Sequence, residues 1–422
     1  MKVKLPYGAD RTVEFAVPDA CFDGMLAPRP VLPAPDPAAE IARAIDSPIG
    51  TPTLDRIVRE GTRVCVICDD ISRPTPVSAI LPVLLERLHR AGVRREDVQI
   101  VMALGSHRYM TEDEMRGRVG EEIYGRYRVK NSEFRDPEKL LHVGVTGDGV
   151  DIVVTRDVMD ADVRIGIGNI VPHPVMGWSG GGKILFPGVT GEHTVAQFHM
   201  LGGLSDERLV GLENNPVRTR MESWVPTIGL HFIVNTVLDA GMRIVRVVAG
   251  DYVQAHRAGV ETAKRVMCCP MKRKADVIVV SSFPADEDFW QSGKGFCNAE
   301  GGLRGADSTM ILVSPNTEGM GPHAEYGACF GRDDSGELLR RLYRGENVPG
   351  DPLALAVGTS MSKMRRRCRM VVVSDGVTRG EIEGCGIAYY PLCELQKAVD
   401  DTLARYESPV VAAVSHGGEF LL

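Results

Sequence analysis

No stretch of the 422-residue chain is apolar for long enough to cross a bilayer, so a membrane partner is not expected. There is no basic stripe: 49 Lys and Arg are interspersed with 56 Asp and Glu, for a net charge of −7. Aromatic residues make up 6% of the chain and form no RNA-type motif, so nucleic acid is not expected either. The opening MKVKLPYGAD lacks the apolar core of a signal peptide. The 10 cysteines follow no disulfide framework, which points to reduced thiols and a cytoplasmic location. Cys65 and Cys68 form one CxxC inside an apolar run with no second pair. Zinc or redox chemistry would want more than that, so they are read as buried strand residues, like Cys268 and Cys269. Internal repeats and low-complexity segments are also missing.

What the chain has is the alternation of an α/β protein, in which short β-branched runs are separated by amphipathic stretches. Strands are expected at 63–68, 98–104, 151–155, 163–167, 232–238 and 243–248. A helix is expected over 77–91, with Ile80, Leu84, Leu85 and Leu88 on one face and Gly92 as its stop. Another runs over 252–266. The polar Met271-Lys272-Arg273-Lys274 after Pro270 reads as a domain boundary. A second α/β series follows, with strands at 277–280, 310–313, 370–373 and 410–414 and helices around 336–343 and 395–406. The length is too great for one ordinary core. Two α/β domains are therefore expected, 1–270 and 275–405, with the active site in the cleft between them and a tail, 406–422, that returns toward the first domain.

The most unusual segment is GNIVPHPVMGWSGGGKILFPG, residues 168–188. Glycines at 177, 180, 181, 182 and 188 are too many for a regular element, and they would let backbone N–H groups approach an anionic group. Lys183 ends that loop, and His173 is stiffened between Pro172 and Pro174. Asp70 and Arg73 lie just past a strand, where open α/β sheets place ligands, and an arginine can clamp a carboxylate with two parallel hydrogen bonds. A turn role for Asp70 and an N-cap role for Ser72 are compatible with this. His107 stands at the next strand end. His193 and His199 are six residues apart on one helix, so at most one of them is expected to face a site. Gln291 and Lys294 are read as sitting on a loop with Gly293 and Gly295 that could swing over the first domain. His89, His142, His256 and His416 are read as structural or solvated.

Two other chemistries fit parts of this pattern. Gly177-x-x-x-x-Gly182-Lys183 matches most of a P-loop, but Ile184 stands where the magnesium-binding Ser or Thr belongs. A nucleotide-binding hydrolase or kinase is the alternative this leaves. A zinc hydrolase built on His107, His173 and His199 has no HExxH or comparable spacing behind it.

Taken together, DDISRPTP, SHRYMT, PHPVMGWSGGGKILFPG, the helix ending at His199 and WQSGK resemble the nickel-dependent lactate racemase family, in that family's order. The resemblance implies a racemase or epimerase that inverts C2 of a 2-hydroxy acid by reversible hydride transfer, through a bound 2-keto acid. It also implies a nickel-pincer nucleotide, pyridinium-3-thioamide-5-thiocarboxylic acid mononucleotide, covalently bound to Lys183. Ser179, Gly180, Gly181, Gly182 and Asp70 are then placed around the cofactor, and His199 matches the nickel ligand. His107 and His173 match the two acid/base histidines. Arg73, Gln291, Lys294 and Trp290 match the substrate wall. Trp290 stands where the lactate enzymes are expected to carry tyrosine, a departure beside the substrate pocket. The partners implied are a small 2-hydroxy acid and the proteins that assemble the cofactor.

Overall fold

The computed structural model describes residues 1–269 and 271–422; Pro270, at the end of the expected first domain, lies outside the described residues. Two six-stranded sheets organise the chain. The first runs in the order Ile244–Gly250, Phe232–Leu238, Val163–Asn169, Val64–Asp69, Val98–Ala103 and Arg128–Asn131. All its pairings are parallel except that of Ile244–Gly250 with Phe232–Leu238. The second runs Ala388–Tyr390, Arg369–Val373, Thr309–Val313, Val277–Ser281, Val411–Val414 and Phe22–Leu26, parallel throughout. Parallel strands are covered on both faces, and the sequence reflects this. Every residue of Val163–Asn169, Val277–Ser281 and Thr309–Val313 is buried.

The sheet topology decides where a ligand can sit. In the first sheet, Val64–Asp69 is followed in sequence by Val98–Ala103 on one side, while Val163–Asn169 lies on its other side. In the second, Val277–Ser281 has Thr309–Val313 on one side and Val411–Val414 on the other. Each arrangement is a switch point, where the loops leaving neighbouring strands diverge and open a crevice at the carboxyl ends. Asp70, His107 and His173 all follow strands at the first switch point. The segment carrying Gln291 and Lys294 follows Val277–Ser281 at the second switch point.

The domain limits expected from the sequence need correction at the N-terminus. Residues 1–26 were assigned to the first domain, but Phe22–Leu26 pairs with Val411–Val414. Val3, Leu5 and Phe15 pack in one apolar cluster with Val277, Ile311 and Val411. Their apolar faces cover the outer side of the second sheet together with Leu395, Ala398 and Val399 of the helix Leu395–Leu403. The end of the chain does two things: Val411–Val414 is an inner strand of the second sheet, and Leu421 then bridges to Cys268. The helix Glu192–Leu204 also crosses between the two bodies. Its Val195, Ala196 and Met200 join the apolar cluster of the second sheet. Gly203 allows close approach, because a Cβ there would lie 2.6 Å from the Ala356 carbonyl oxygen.

All 10 cysteines are free thiols. Cys65 and Cys68 are fully buried strand residues whose thiol pKa values burial pushes far up, which leaves them inert.

Candidate active site

One cavity of about 210 Å³ lies between the two bodies, and it gathers most of the residues singled out in the sequence. Asp70, Arg73, His107, His173, Ser179, Gly180, Lys183 and His199 line it from the first sheet's side. Trp290, Gln291 and Lys294 line it from the second. His193 is not among them; its side chain is exposed and lies near Asp151.

His107 and His173 are held in different ways. Asp70 Oδ2 lies 2.5 Å from His107 Nδ1, so Nδ1 carries a proton toward the carboxylate and Nε2 is left as an acceptor. Gln291 Nε2 lies 2.9 Å from that Nε2. Asp70 is fixed in turn by Ser72, whose N–H and Oγ–H both donate to Oδ1, at 3.2 and 2.5 Å. Burial opposes charge on Asp70, but His107 and Arg73 outweigh it and hold the carboxyl well below the ordinary carboxylate range. His173 sits in a two-residue hairpin strand facing Gly177–Trp178. Its Nδ1 accepts backbone N–H bonds from Val175 and Met176, each at 3.2 Å, so its proton is on Nε2. Burial, then the neighbouring Lys183, Lys294 and Arg73, drives its pKa well below the usual value.

Lys183 ends the 3₁₀ turn Gly181–Ile184. Burial, aided by Arg73, lowers its pKa from 10.5 to about 7, so near neutral pH much of the amine is uncharged and nucleophilic. His199 Nδ1 donates to the Val195 carbonyl at 2.8 Å, which leaves Nε2 with its lone pair. Its pKa is lowered to about 3, mainly by burial, so the ring is a neutral ligand throughout the physiological range.

Three expectations about this region are corrected. Gly181 and Gly182 do not line the cavity. Gly181 has φ +63°, a Cβ there would lie 2.8 Å from the Tyr252 carbonyl oxygen, and its N–H donates to Asn235 Oδ1 at 2.8 Å. A Cβ on Gly182 would lie 2.9 Å from Val225 Cγ2. These glycines pack the loop onto the protein; they do not present N–H groups to an anion. The P-loop alternative loses its support for a related reason: Lys183 lies within a short 3₁₀ turn, Gly181–Ile184, where a P-loop opens a long helix. The segment around Gln291 is also no swinging loop. It is the helix Phe289–Ala299, capped by Asp288, whose side chain accepts from the Gln291 N–H at 2.6 Å. Gly295 lies inside that helix, and a Cβ there would meet Leu312 at 2.7 Å.

The helix aims its first turns at the cavity. Gln291 Oε1 accepts from Lys294 Nζ at 2.5 Å and from Arg73 Nη1 at 3.3 Å, which ties the two bodies together. Burial first, then Arg73 and Lys183, pushes the Lys294 amine well below its ordinary pKa. Two contributors were not foreseen. Glu419, from the chain's end, is a buried carboxyl raised by burial to about 7, against the pull of Lys294 and Arg73. His323 lies 3.3 Å from Ser106 Oγ through Nε2 and 2.6 Å from Asp351 through Nδ1. It also stacks on Trp290 at 4.6 Å between ring centroids, which braces that indole against the cavity. The sequence signal for His323 and Glu419 was weak, because each acts across a long sequence separation.

The donor set fits a metal that arrives with its own ligands. Among the described residues, no group of three or more His, Cys, Asp or Glu could hold a metal ion. That disfavours a protein-built zinc site. A buried neutral His199 and a buried, partly uncharged Lys183 in one cavity fit a tethered cofactor that needs one more donor.

A buried amine, a buried neutral imidazole and two differently held histidines thus line one interlobe cleft. Residues 7–210 match the lactate racemase N-terminal domain. A lactate racemase of Thermoanaerobacterium thermosaccharolyticum is 27% identical over 361 residues, 82% of this chain and 83% of that protein. One from Lactiplantibacillus plantarum is 28% identical over 303 residues, 71% of each chain. The solved lactate racemase apoprotein from T. thermosaccharolyticum superposes with a TM-score of 0.85 at 22% identity, covering 100% of this chain and 99% of that one. A Thermotoga maritima protein of known structure follows at 0.70 and 19%, covering 91% and 96%. Residues 7–210 are thus a lactate racemase N-terminal domain, and over most of its length the chain is similar to lactate racemases, which are isomerases.

Proposed function

We propose that this chain is a 2-hydroxy acid racemase or epimerase that works with a nickel-pincer nucleotide tethered at Lys183. The observation that carries this reading is the convergence of Lys183, His199, His107 and His173 on one buried interlobe cavity. The cofactor would be held by an amide-type bond to Lys183 Nζ and by nickel ligation at His199 Nε2, with Ser179, Gly180 and Asp70 nearby.

A 2-hydroxy acid has no carbonyl beside C2 except its own charged carboxylate, so removing the C2 hydrogen as a proton is hard. When bound, the cofactor supplies a reversible hydride acceptor for that hydrogen. The chain's own residues do the rest. Arg73, a permanent cation, would grip the substrate carboxylate, and the arriving negative charge would favour the ammonium form of Lys294 beside it. Gln291 holds both cations and His107 in one network. The hydroxyl of the two enantiomers points to opposite sides, so each histidine would serve one of them. His107 Nε2 would accept the hydroxyl proton, with Asp70 stabilising the imidazolium. His173, charged as an imidazolium for that half-cycle, would return its Nε2 proton to the carbonyl oxygen of the keto acid once it has turned, and be left as the neutral ring. The cleft would keep bulk water from the keto acid. Trp290 would set the shape of the pocket for the C2 substituent.

The test is protein produced together with the cofactor-assembly proteins, assayed on a panel of D-2-hydroxy acids by chiral chromatography. Peptide mass spectrometry should show Lys183 modified in active enzyme. Racemisation by protein with an unmodified Lys183 would overturn the reading.

A further inference from the structure

Counting protons exposes a requirement that the catalytic cavity does not meet alone. In one turnover His107 takes the hydroxyl proton of one enantiomer and His173 gives a proton to the oxygen of the other. The C2 hydrogen leaves and returns as hydride, so substrate and product balance, but the enzyme does not: His107 ends with one proton too many and His173 with one too few. Before the next turnover in the same direction, His107 must lose its proton. In the opposite direction it must gain one.

A second cavity, about 220 Å³, lies at the same interlobe seam. It shares Asp70, His107 and Gln291 with the catalytic cavity, and Lys183 and His173 do not line it. Its remaining wall includes three acidic residues, Glu287, Asp288 and Glu318, and one basic residue, Arg108. Glu318 is paired with Arg108 at 3.1 Å, and Arg108 also holds Glu114 at 2.7 Å. The Asp288 carboxylate is occupied by the Gln291 N–H. Glu287 differs from both: it is exposed to solvent, and among the described residues no donor within hydrogen-bonding distance reaches its carboxyl. The charged and titratable groups around it are Glu318, Asp288, Asp70, Arg108 and His107. Burial, then Glu318 and Asp288, raises its pKa to about 7, so the carboxyl can hold or release a proton near neutral pH.

We infer that Glu287 is the relay through which His107 exchanges its proton with solvent between turnovers. A proton leaving the His107 imidazolium crosses the second cavity to the Glu287 carboxylate, and the carboxylic acid then releases it to bulk water. In the reverse direction Glu287 supplies the proton. This rests on the two-histidine reading of the site. Glu287 does not touch the substrate.

The test compares the native holoenzyme with E287Q under saturating substrate in buffers of rising concentration. For E287Q, kcat should fall about tenfold with KM within twofold, and millimolar imidazole should restore it, because a diffusing acid replaces the relay. The native enzyme should be indifferent to buffer concentration. A kcat for E287Q equal to the native value, or a loss that imidazole does not relieve, would overturn the inference. A second arm uses cofactor-free protein and nitrogen NMR of the His107 ring. Its resonances should follow two titration steps in the native chain, one belonging to Glu287, and lose that step in E287Q. Identical curves would contradict the coupling. If native enzyme racemises normally and these arms fail, only the relay falls; if native enzyme racemises nothing, the underlying reading falls first.

Discussion

His107 and His173 face the same cavity from walls built in opposite ways. His107 stands beside a carboxylate, partly open to a second cavity, with its outer nitrogen bound to Asp70. His173 is buried, surrounded by Lys183, Lys294 and Arg73, with its outer nitrogen accepting two backbone N–H bonds. At His173 burial and the nearby cations disfavour the imidazolium. At rest the two rings are opposite tautomers, Nδ1–H at His107 and Nε2–H at His173, set by their neighbours and not by the ring itself, so two groups of one residue type can serve opposite faces of a substrate.

Both histidines matter only if the cofactor is anchored between them, so the largest effect should come from Lys183→Ala. Activity should disappear, and the mass increment at the 183-containing peptide with it. Next comes the pair itself. H107Q and H173Q should each lower kcat by about 10²–10⁴-fold. Each should do so unequally for the two enantiomers in single-turnover reactions, with the two imbalances in opposite senses; equal losses in both directions would erase the distinction between the walls.

Asp70→Asn sharpens the His107 side. It keeps the shape but removes the charge that stabilises the imidazolium. It should cost about one to two orders of magnitude in kcat and move the acid limb of the rate profile to lower pH, as read by kcat against pH.

A stability measurement isolates the His173 side. Its folded pKa is depressed below 6.5, so on falling pH the unfolded chain takes up a proton there while the folded chain does not. Stability is then lost as pH falls through about 6.5, by up to ~1.4 kcal/mol per pH unit for this one group. The Tm of cofactor-free native protein should fall more steeply between pH 7 and pH 5 than that of H173Q. The smallest effect expected is at Trp290, outside the acid/base pair. W290Y should leave the acid/base pH profile alone and change the ratio of kcat/KM between small and bulky hydroxy acids by about 10-fold.

Much of this was legible in the sequence where the signal was local. The strand Phe232–Leu238 matched its expected limits because a fully buried strand writes itself as a mostly apolar, β-branched run, and Asp151–Thr155, half of a two-stranded antiparallel sheet, matched through its β-branched residues. His107, His173, Lys183 and His199 stood in motifs next to turns and strand ends. What was not legible depended on distance or competition. The N-terminal strands read as a first-domain start, and only pairing across the whole chain, Phe22–Leu26 with Val411–Val414, shows that they belong to the second sheet. The glycines at 181 and 182 were read for ligand contact. A glycine required by close packing against Tyr252 and Val225 leaves the same trace in sequence. Gln291 looked like a loop residue because Gly293 and Gly295 lower helix propensity, yet the Asp288 cap and tertiary packing prevail. Glu419 and His323 reach the site from segments with no motif around them.

The central claim is that His107 and His173 handle only the hydroxyl proton while the C2 hydrogen travels as hydride and never mixes with water. The most direct test incubates the loaded enzyme with one enantiomer of a C2-deuterated 2-hydroxy acid in ordinary water, then separates the enantiomers and weighs the inverted product. Full retention of deuterium at C2 is predicted. Inverted product carrying hydrogen from solvent at C2 would contradict it, because a protein base would then be removing the C2 hydrogen as a proton.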